Sequence, residues 1–279
     1  MIKVSALVLA LCLPASALAQ QRPLVTEDPE TVGAGRVLVE AGFDYQRDAV
    51  FPAAGLEGHL LRFPLVGFSV GVSSIAEIQI DGGLFNSLNI QRRFPAPLSG
   101  AVTTTDDSTS SVEDLVIGTK IRLLSEGTTR PGFGFRFATK LPNASNESGL
   151  GLDTTDFHAT LLAAKTVQSV RVVTNVGIAI LGDPIRGDRQ NDVLTYGLSF
   201  ARAVTQAAEV VAELNGRANT RGDEAPVGTG SRSMLRFGGR YTVGPVRADA
   251  ALLFGVTSND PAVGAAAGVT YVFNAFQVP

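Results

Sequence analysis

Tryptophan is absent from these 279 residues, cysteine occurs once, and histidine and methionine occur twice each. With His59 and His158 as the only imidazoles and Cys12 as the only thiol, a transition-metal centre has almost no ligands to draw on. No metal and no cofactor is expected. One cysteine cannot form an intrachain disulfide, so no covalent staple explains the fold. Charge is sparse as well: charged residues make up 18% of the chain, and 23 basic side chains do not outnumber 26 acidic ones. Nucleic acid is therefore excluded as a partner, because phosphate binding needs a basic stripe that this composition lacks. Beyond the first twenty residues, no run approaches the roughly 18 consecutive apolar residues of a transmembrane helix.

What is present begins with an export signal. Lys3 supplies a positive start, Val4 to Leu13 an apolar core, and Ala17-Leu18-Ala19 a small-x-small cleavage site. Cleavage before Gln20 leaves 260 residues with no cysteine, carrying 22 basic against 26 acidic side chains. Acylation of Cys12 is the alternative, disfavoured by the bulky Leu11 before it. Residues 20–34 (QQRPLVTEDPETVGA) are polar, proline-bearing and without period, and read as an extended periplasmic arm.

From residue 35 onward a two-residue hydrophobic rhythm takes over. Val37, Val39, Ala41, Phe43 and Tyr45 share one face, and Arg36, Glu40 and Asp44 the other. Successive side chains of a strand point to opposite faces, so this segment has one wall for lipid and one for water. The pattern recurs near 58–69, 75–85, 114–124, 131–141, 155–166, 169–181, 191–203, 206–217, 231–242, 245–256 and 261–273, giving twelve strands. In the second, His59, Leu61, Phe63 and Leu65 are placed together opposite Arg62. Apolar residues three and four apart, the mark of an amphipathic helix, do not recur.

The gaps alternate. Short ones fall at 70–74, 125–130, 167–168, 204–205 and 243–244, and longer ones at 46–57, 86–113, 142–154, 182–190 and 218–230, with a brief one at 257–260. Turns on one side and loops on the other are expected of an all-β antiparallel transmembrane barrel, here spanning 35–279, in the outer membrane of a diderm bacterium. A soluble β-sandwich also alternates. It fits less well, because the polar face is rich in glycine and small residues, suiting a crowded lumen, and because 30 glycines in the chain would weaken strands in a soluble sheet. Without tryptophan, Tyr45, Tyr196, Tyr241, Tyr271 and several phenylalanines must form the interfacial girdles.

Three stretches carry a resemblance: RPLVTEDPETVGAGRVLVEAG, EDLVIGTKIRLLSEG and FATKLPNASNESGLGLDTTDF. The chain resembles the "MetA-pathway of phenol degradation" family of outer-membrane proteins over most of its length, departing in having Asn143 where glycine often follows the proline. The resemblance implies a transporter or channel, and its phenol link is weak evidence about the solute.

Chemistry, if any, belongs to the inner wall. Glu40, Asp44, Glu77, Asp81, Glu209 and Glu213 are placed there with Arg62, Lys120, Arg122, Arg136, Lys140, Arg171, Arg236 and Arg240, and with His158. Such rings of charge set selectivity in a pore. The plainer reading is that opposite charges pair across strands and fill the interior, since twelve strands fall between plugged barrels of ~8 and water-filled ones of ~16. The arm either inserts as a small plug, with Glu27, Asp28 and Glu30 as candidates to meet the basic wall, or hangs free in the periplasm. His158 near Thr160 lacks a nucleophile-elbow motif, so a barrel-embedded hydrolase is a minor reading. Two Arg-Gly-Asp tripeptides (186–188, 221–223) and the loop acids Asp106, Asp107, Asp183, Asp188 and Asp192 are ordinary loop composition before they are adhesion or Ca²⁺ sites. The expectation is a passive channel for small, apolar or aromatic solutes, partnered by outer-membrane lipid, rather than an enzyme. The rival is a non-conducting structural or adhesive barrel.

Overall fold

The computed structural model describes residues 22–221 and 225–278; the export signal, the cleavage site and Cys12 lie outside the described residues. Fourteen strand segments follow one another: β1 (Arg36–Phe51), β2 (Leu56–Gly71), β3 (Ala76–Gly83), β4 (Asn86–Arg93), β5 (Ser108–Ser111), β6 (Val116–Leu124) and β7 (Gly132–Lys140), then β8 (Asp156–Val167), β9 (Val170–Gly182), β10 (Gln190–Ala203), β11 (Ala208–Asn219), β12 (Arg232–Val243), β13 (Val246–Gly255) and β14 (Val263–Asn274). Each pairs antiparallel with its neighbours, and β1 closes the ring on β14 from Arg36↔Asn274 to Arg47↔Val263. β3 and β4 both pair with β2, and so are two pieces of one stave; β5 and β6 form the next. The wall is therefore a closed barrel of twelve staves. Closure matters because hydrocarbon offers no partner to an unpaired N–H or C=O.

The burial is inverted relative to a soluble core. Lys120 and Glu77 are 0% exposed, whereas Leu161 and Ile178 on the outer face are 61% and 57% exposed. A sandwich would bury the leucine and solvate the lysine, so this distribution excludes it. Tyr241 and Tyr271 stand outward near the turn end, where Tyr271 stacks on Phe273 at 5.5 Å. After β14 the chain folds under the barrel, with Ala275 and Phe276 N–H donating to Gly35 O.

Two expectations need correction. The segment 46–57 is mostly wall rather than loop, since β1 runs to Phe51 and β2 starts at Leu56, and 86–113 is wall in part, with β4 and β5 inside it. Their tips carry Ala49, Leu56, Leu60, Leu88 and Ile90, which pack with Phe51, Val102 and Leu150 inside the extracellular mouth. These residues break the lipid-out rhythm because they cover one another instead. The loop proper, 94–107, folds onto this cluster, with Leu98 N–H on Ala53 O and Thr103 N–H on Glu147 O.

The second correction concerns Leu65. The pairing of β1 with β2 slips between Gly42 and Asp44, so that Phe63 and Pro64 bulge and Leu65 falls opposite Gly42 on the lumen side. Proline brings no N–H to a ladder, and an extra residue reverses every face that follows it. Phe68 accordingly faces outward. Asn143, the departure from the family pattern, secures the 141–155 loop: its Oδ1 accepts the Leu115 N–H at 3.2 Å.

Candidate functional site

The arm enters the barrel from the turn side and lies across the lumen. Its prolines and lack of period keep it extended, and strand pairing starts only where Gly35 N–H meets Gly71 O. From Arg22 to Val32 it is held by the side chains of the wall. Arg22 Nη2 donates to Ala267 O at 2.8 Å, and Arg240 Nε donates back to Arg22 O at 2.8 Å. The Glu213 carboxylate accepts the Val25 and Thr26 N–H groups, Asn175 Oδ1 accepts Glu27 N–H at 2.7 Å, and Glu77 Oε2 accepts Val32 N–H at 2.6 Å. Glycine on the inner wall makes room for this. A Cβ at Gly197 would lie 2.6 Å from Thr26 Oγ1, and one at Gly42 or Gly268 would overlap Arg22.

The arm's three acids each meet a base of the wall. Glu27 lies 3.1 Å from Lys120 Nζ and 3.0 Å from Arg136 Nε, and Lys120 is shared with Glu77 at 3.0 Å. Asp28 receives the Arg171 fork, whose Nη2 is 2.7 Å away, and Glu30 receives Arg122 Nη1 at 2.5 Å. Paired N–H donors in one plane match both carboxylate oxygens, which fixes position as well as charge. Burial pushes the Glu27 carboxyl up, but Lys120 and then Arg136 outweigh it and hold the group below its ordinary value. Breaking such a buried pair from one side costs about 3–5 kcal/mol, because the partner charge is left behind.

The remaining wall residues divide by partner. Cross-strand pairs include Glu213–Arg236 at 2.8 Å, Asp44–Arg62 at 3.1 Å and the looser Glu209–Arg240 at 3.9 Å; Arg62 also holds Glu113 at 2.9 Å. Lys140 bridges Asp114 and Asp156 at 2.8 and 3.2 Å. Asp81 sits 3.8 Å from Arg136, and Glu40 accepts the Thr270 hydroxyl at 3.1 Å. The candidate charges thus share one interior, with a belt of them wrapped around the arm.

Above the arm lies a cavity of about 630 Å³, floored by Val25, Thr26 and Glu27. Ala49, Phe51, Leu60 and Leu150 give it an apolar side; Arg217 and Arg232 stand on β11 and β12. His158 lines it too, but no described side chain hydrogen-bonds the imidazole, so no hydroxyl–imidazole–carboxylate relay is assembled among the described residues. Two of the cavity's features were not in the charge set read from the sequence. These are Arg217 and Arg232, which parity reaches: counting on in twos from Glu213 gives Arg217, and counting back in twos from Arg236 gives Arg232.

The loop acids do local work. Asp183 Oδ1 accepts the Ile185 and Arg186 N–H groups, and Asp188 pairs with Arg186 at 3.7 Å within the first Arg-Gly-Asp. The second tripeptide lies partly outside the described residues.

The sequence profile of the family described as "Putative MetA-pathway of phenol degradation" matches residues 20–273. Among solved structures, the COG4313 outer membrane channel from Pseudomonas putida F1 is similar over 88% of this chain and 98% of its own, at a TM-score of 0.60 and 11% identity. The Pseudomonas putida toluene transporter TodX covers 89% of this chain and 92% of its own, at a TM-score of 0.41 and 12% identity. The first of these likenesses supports the outer-membrane barrel fold and goes no further; the second is too distant to carry an argument. No curated protein matches the chain in sequence.

Proposed function

The chain belongs to the MetA-pathway of phenol degradation family, and from that premise we propose that it is a passive outer-membrane channel for small, apolar or aromatic solutes, gated by its own N-terminal arm. One observation carries the reading. The arm is docked on the wall by side-chain hydrogen bonds and ion pairs instead of a strand ladder, directly beneath a solute-sized cavity with an apolar side. A segment held this way can leave as a unit without opening the barrel, because closure rests on β1 and β14 alone. The cavity falls within the ~300–1,000 Å³ range of small-molecule sites. Selectivity then comes from lumen size and from the wall charges, and no bond is made or broken.

Two measurements test this together. Liposome swelling with neutral solutes graded in size and polarity should show uptake of small aromatic alcohols ahead of sugars. Deleting residues 22–32 should raise single-channel conductance several-fold. Swelling with none of the solutes, by either form of the protein, would leave the non-conducting structural barrel as the reading to adopt.

A further inference from the structure

Arg217 and Arg232 face one another directly across the β11–β12 ladder. Like charges opposite each other on a sheet repel, so the pairing calls for a compensating anion. The other basic side chains lining the cavity have one. Arg62, Arg136, Lys140 and Arg236 each hold a carboxylate within 3.1 Å. Arg217 and Arg232 have no carboxylate within 4 Å among the described residues, and rest on backbone oxygens: Arg217 on Gly228 and Gly230, Arg232 on Val50. The acids whose fields reach Arg217 are already engaged. Asp260 Oδ2 takes the Ser233 and Thr257 N–H groups and the Thr257 hydroxyl, while Asp156 is spent on Lys140 and the Gly182 N–H.

The reach of Arg232 to Val50 O, at 3.1 Å, sets its guanidinium beside the apolar cluster at the tips of β1 and β2. One cavity therefore joins two arginines paired across one ladder to a patch made by Ala49, Phe51, Leu60 and Leu150. Guanidinium forks match carboxylate oxygens in pairs, and a flat apolar body suits the patch.

We propose that the Arg217–Arg232 pair and the adjoining apolar patch form a binding site for small aromatic carboxylates at the extracellular side of the lumen. This deepens the channel reading by naming a solute class, but the site can be tested without conduction. The test is equilibrium titration calorimetry of the detergent-solubilised protein with benzoate, acetate and benzyl alcohol. Benzoate should bind saturably at the highest affinity, since acetate lacks the ring and benzyl alcohol the charge. In Arg217→Gln/Arg232→Gln the benzoate affinity should fall roughly 10- to 100-fold, the loss expected for charge-assisted hydrogen bonds. Benzyl alcohol should bind this variant no more weakly. Arg232→Lys keeps the charge but not the fork, and should be intermediate; heat-modifiable gel migration confirms that each variant is a folded barrel. Equal binding of benzoate and benzyl alcohol, no benzoate binding, or unchanged affinity in the double variant would overturn the site. Benzoate binding by a protein that shows no swelling would retain the site and remove the channel.

Discussion

The two halves of the lumen solve the problem of interior charge differently. On the turn side a belt of wall bases is matched by acids, three of which (Glu27, Asp28 and Glu30) arrive on the arm. On the loop side a cavity is left, the apolar cluster intrudes, and two arginines are paired across a ladder with no carboxylate within 4 Å among the described residues. Both halves are built on the same two-residue rhythm, so the contrast does not come from the strands. It comes from what the chain supplies to fill them. The segment before β1 completes the lower half, and nothing described completes the upper one.

The largest expected effect comes from breaking the lower half. Deleting residues 22–32 removes the arm's acids and backbone together, and should convert a low-conductance protein into one with several-fold higher current. The wall should survive, read as unchanged heat-modifiable migration. Next in size is Glu27→Ala, which strands Lys120 and Arg136 with less compensation. At about 3–5 kcal/mol for a one-sided break, arm occupancy should drop enough to appear as frequent openings and as faster proteolysis at the arm. A pH series sharpens the same point. The Glu27 carboxyl is held below its ordinary value of about 4.5, so its contribution to docking is fully present above that value. It is lost as pH falls through the lower, docked value. Arm release should therefore be flat from neutral pH down to about 5 and begin only in more acidic solution; release centred near neutrality would show that another group controls it.

Smaller effects separate the outer face from the inner. Leu161→Arg puts a charge on the lipid side, where it costs about 2–4 kcal/mol at mid-depth and less near the interfaces. Detergent-refolding yield should fall accordingly. His158→Ala, in the cavity, should cost folding no more than about 1 kcal/mol and leave conductance nearly unchanged, since no described side chain hydrogen-bonds the imidazole and its removal strands no partner. Loss of an esterase activity in that variant would instead restore the hydrolase reading.

Much of this was legible in the sequence, and the misses have physical causes. Period two survives translation into structure because inside and outside alternate strictly, which is why Arg136 and Lys140 lie on the inner wall as expected while Phe133 and Phe137, one residue removed in parity, stand outward. The arm's acids were legible as partners for a basic wall because opposite charges cannot both stay buried unpaired. Leu65 was misplaced because a bulge at Phe63 and Pro64 adds one residue, and parity carries no memory of such a slip. The extracellular extensions of β1, β2, β4 and β5 read as loop because their apolar residues face each other rather than lipid. That Arg217 and Arg232 face one another is not legible from parity, which puts each singly on the inner wall, because facing requires register, which only the ladder supplies.

The central claim is that the docked arm closes the channel, and the absence of cysteine after residue 12 makes one test of it unusually clean. A Cβ built at Gly197 lies 3.3 Å from Thr26 Cβ, close to the ~3.5–4.5 Å that a disulfide spans. Single-channel recording of Thr26→Cys/Gly197→Cys should show the oxidised protein silent and reduction restoring openings to the level of either single variant. An oxidised, cross-linked protein that conducts like its reduced form would contradict the account.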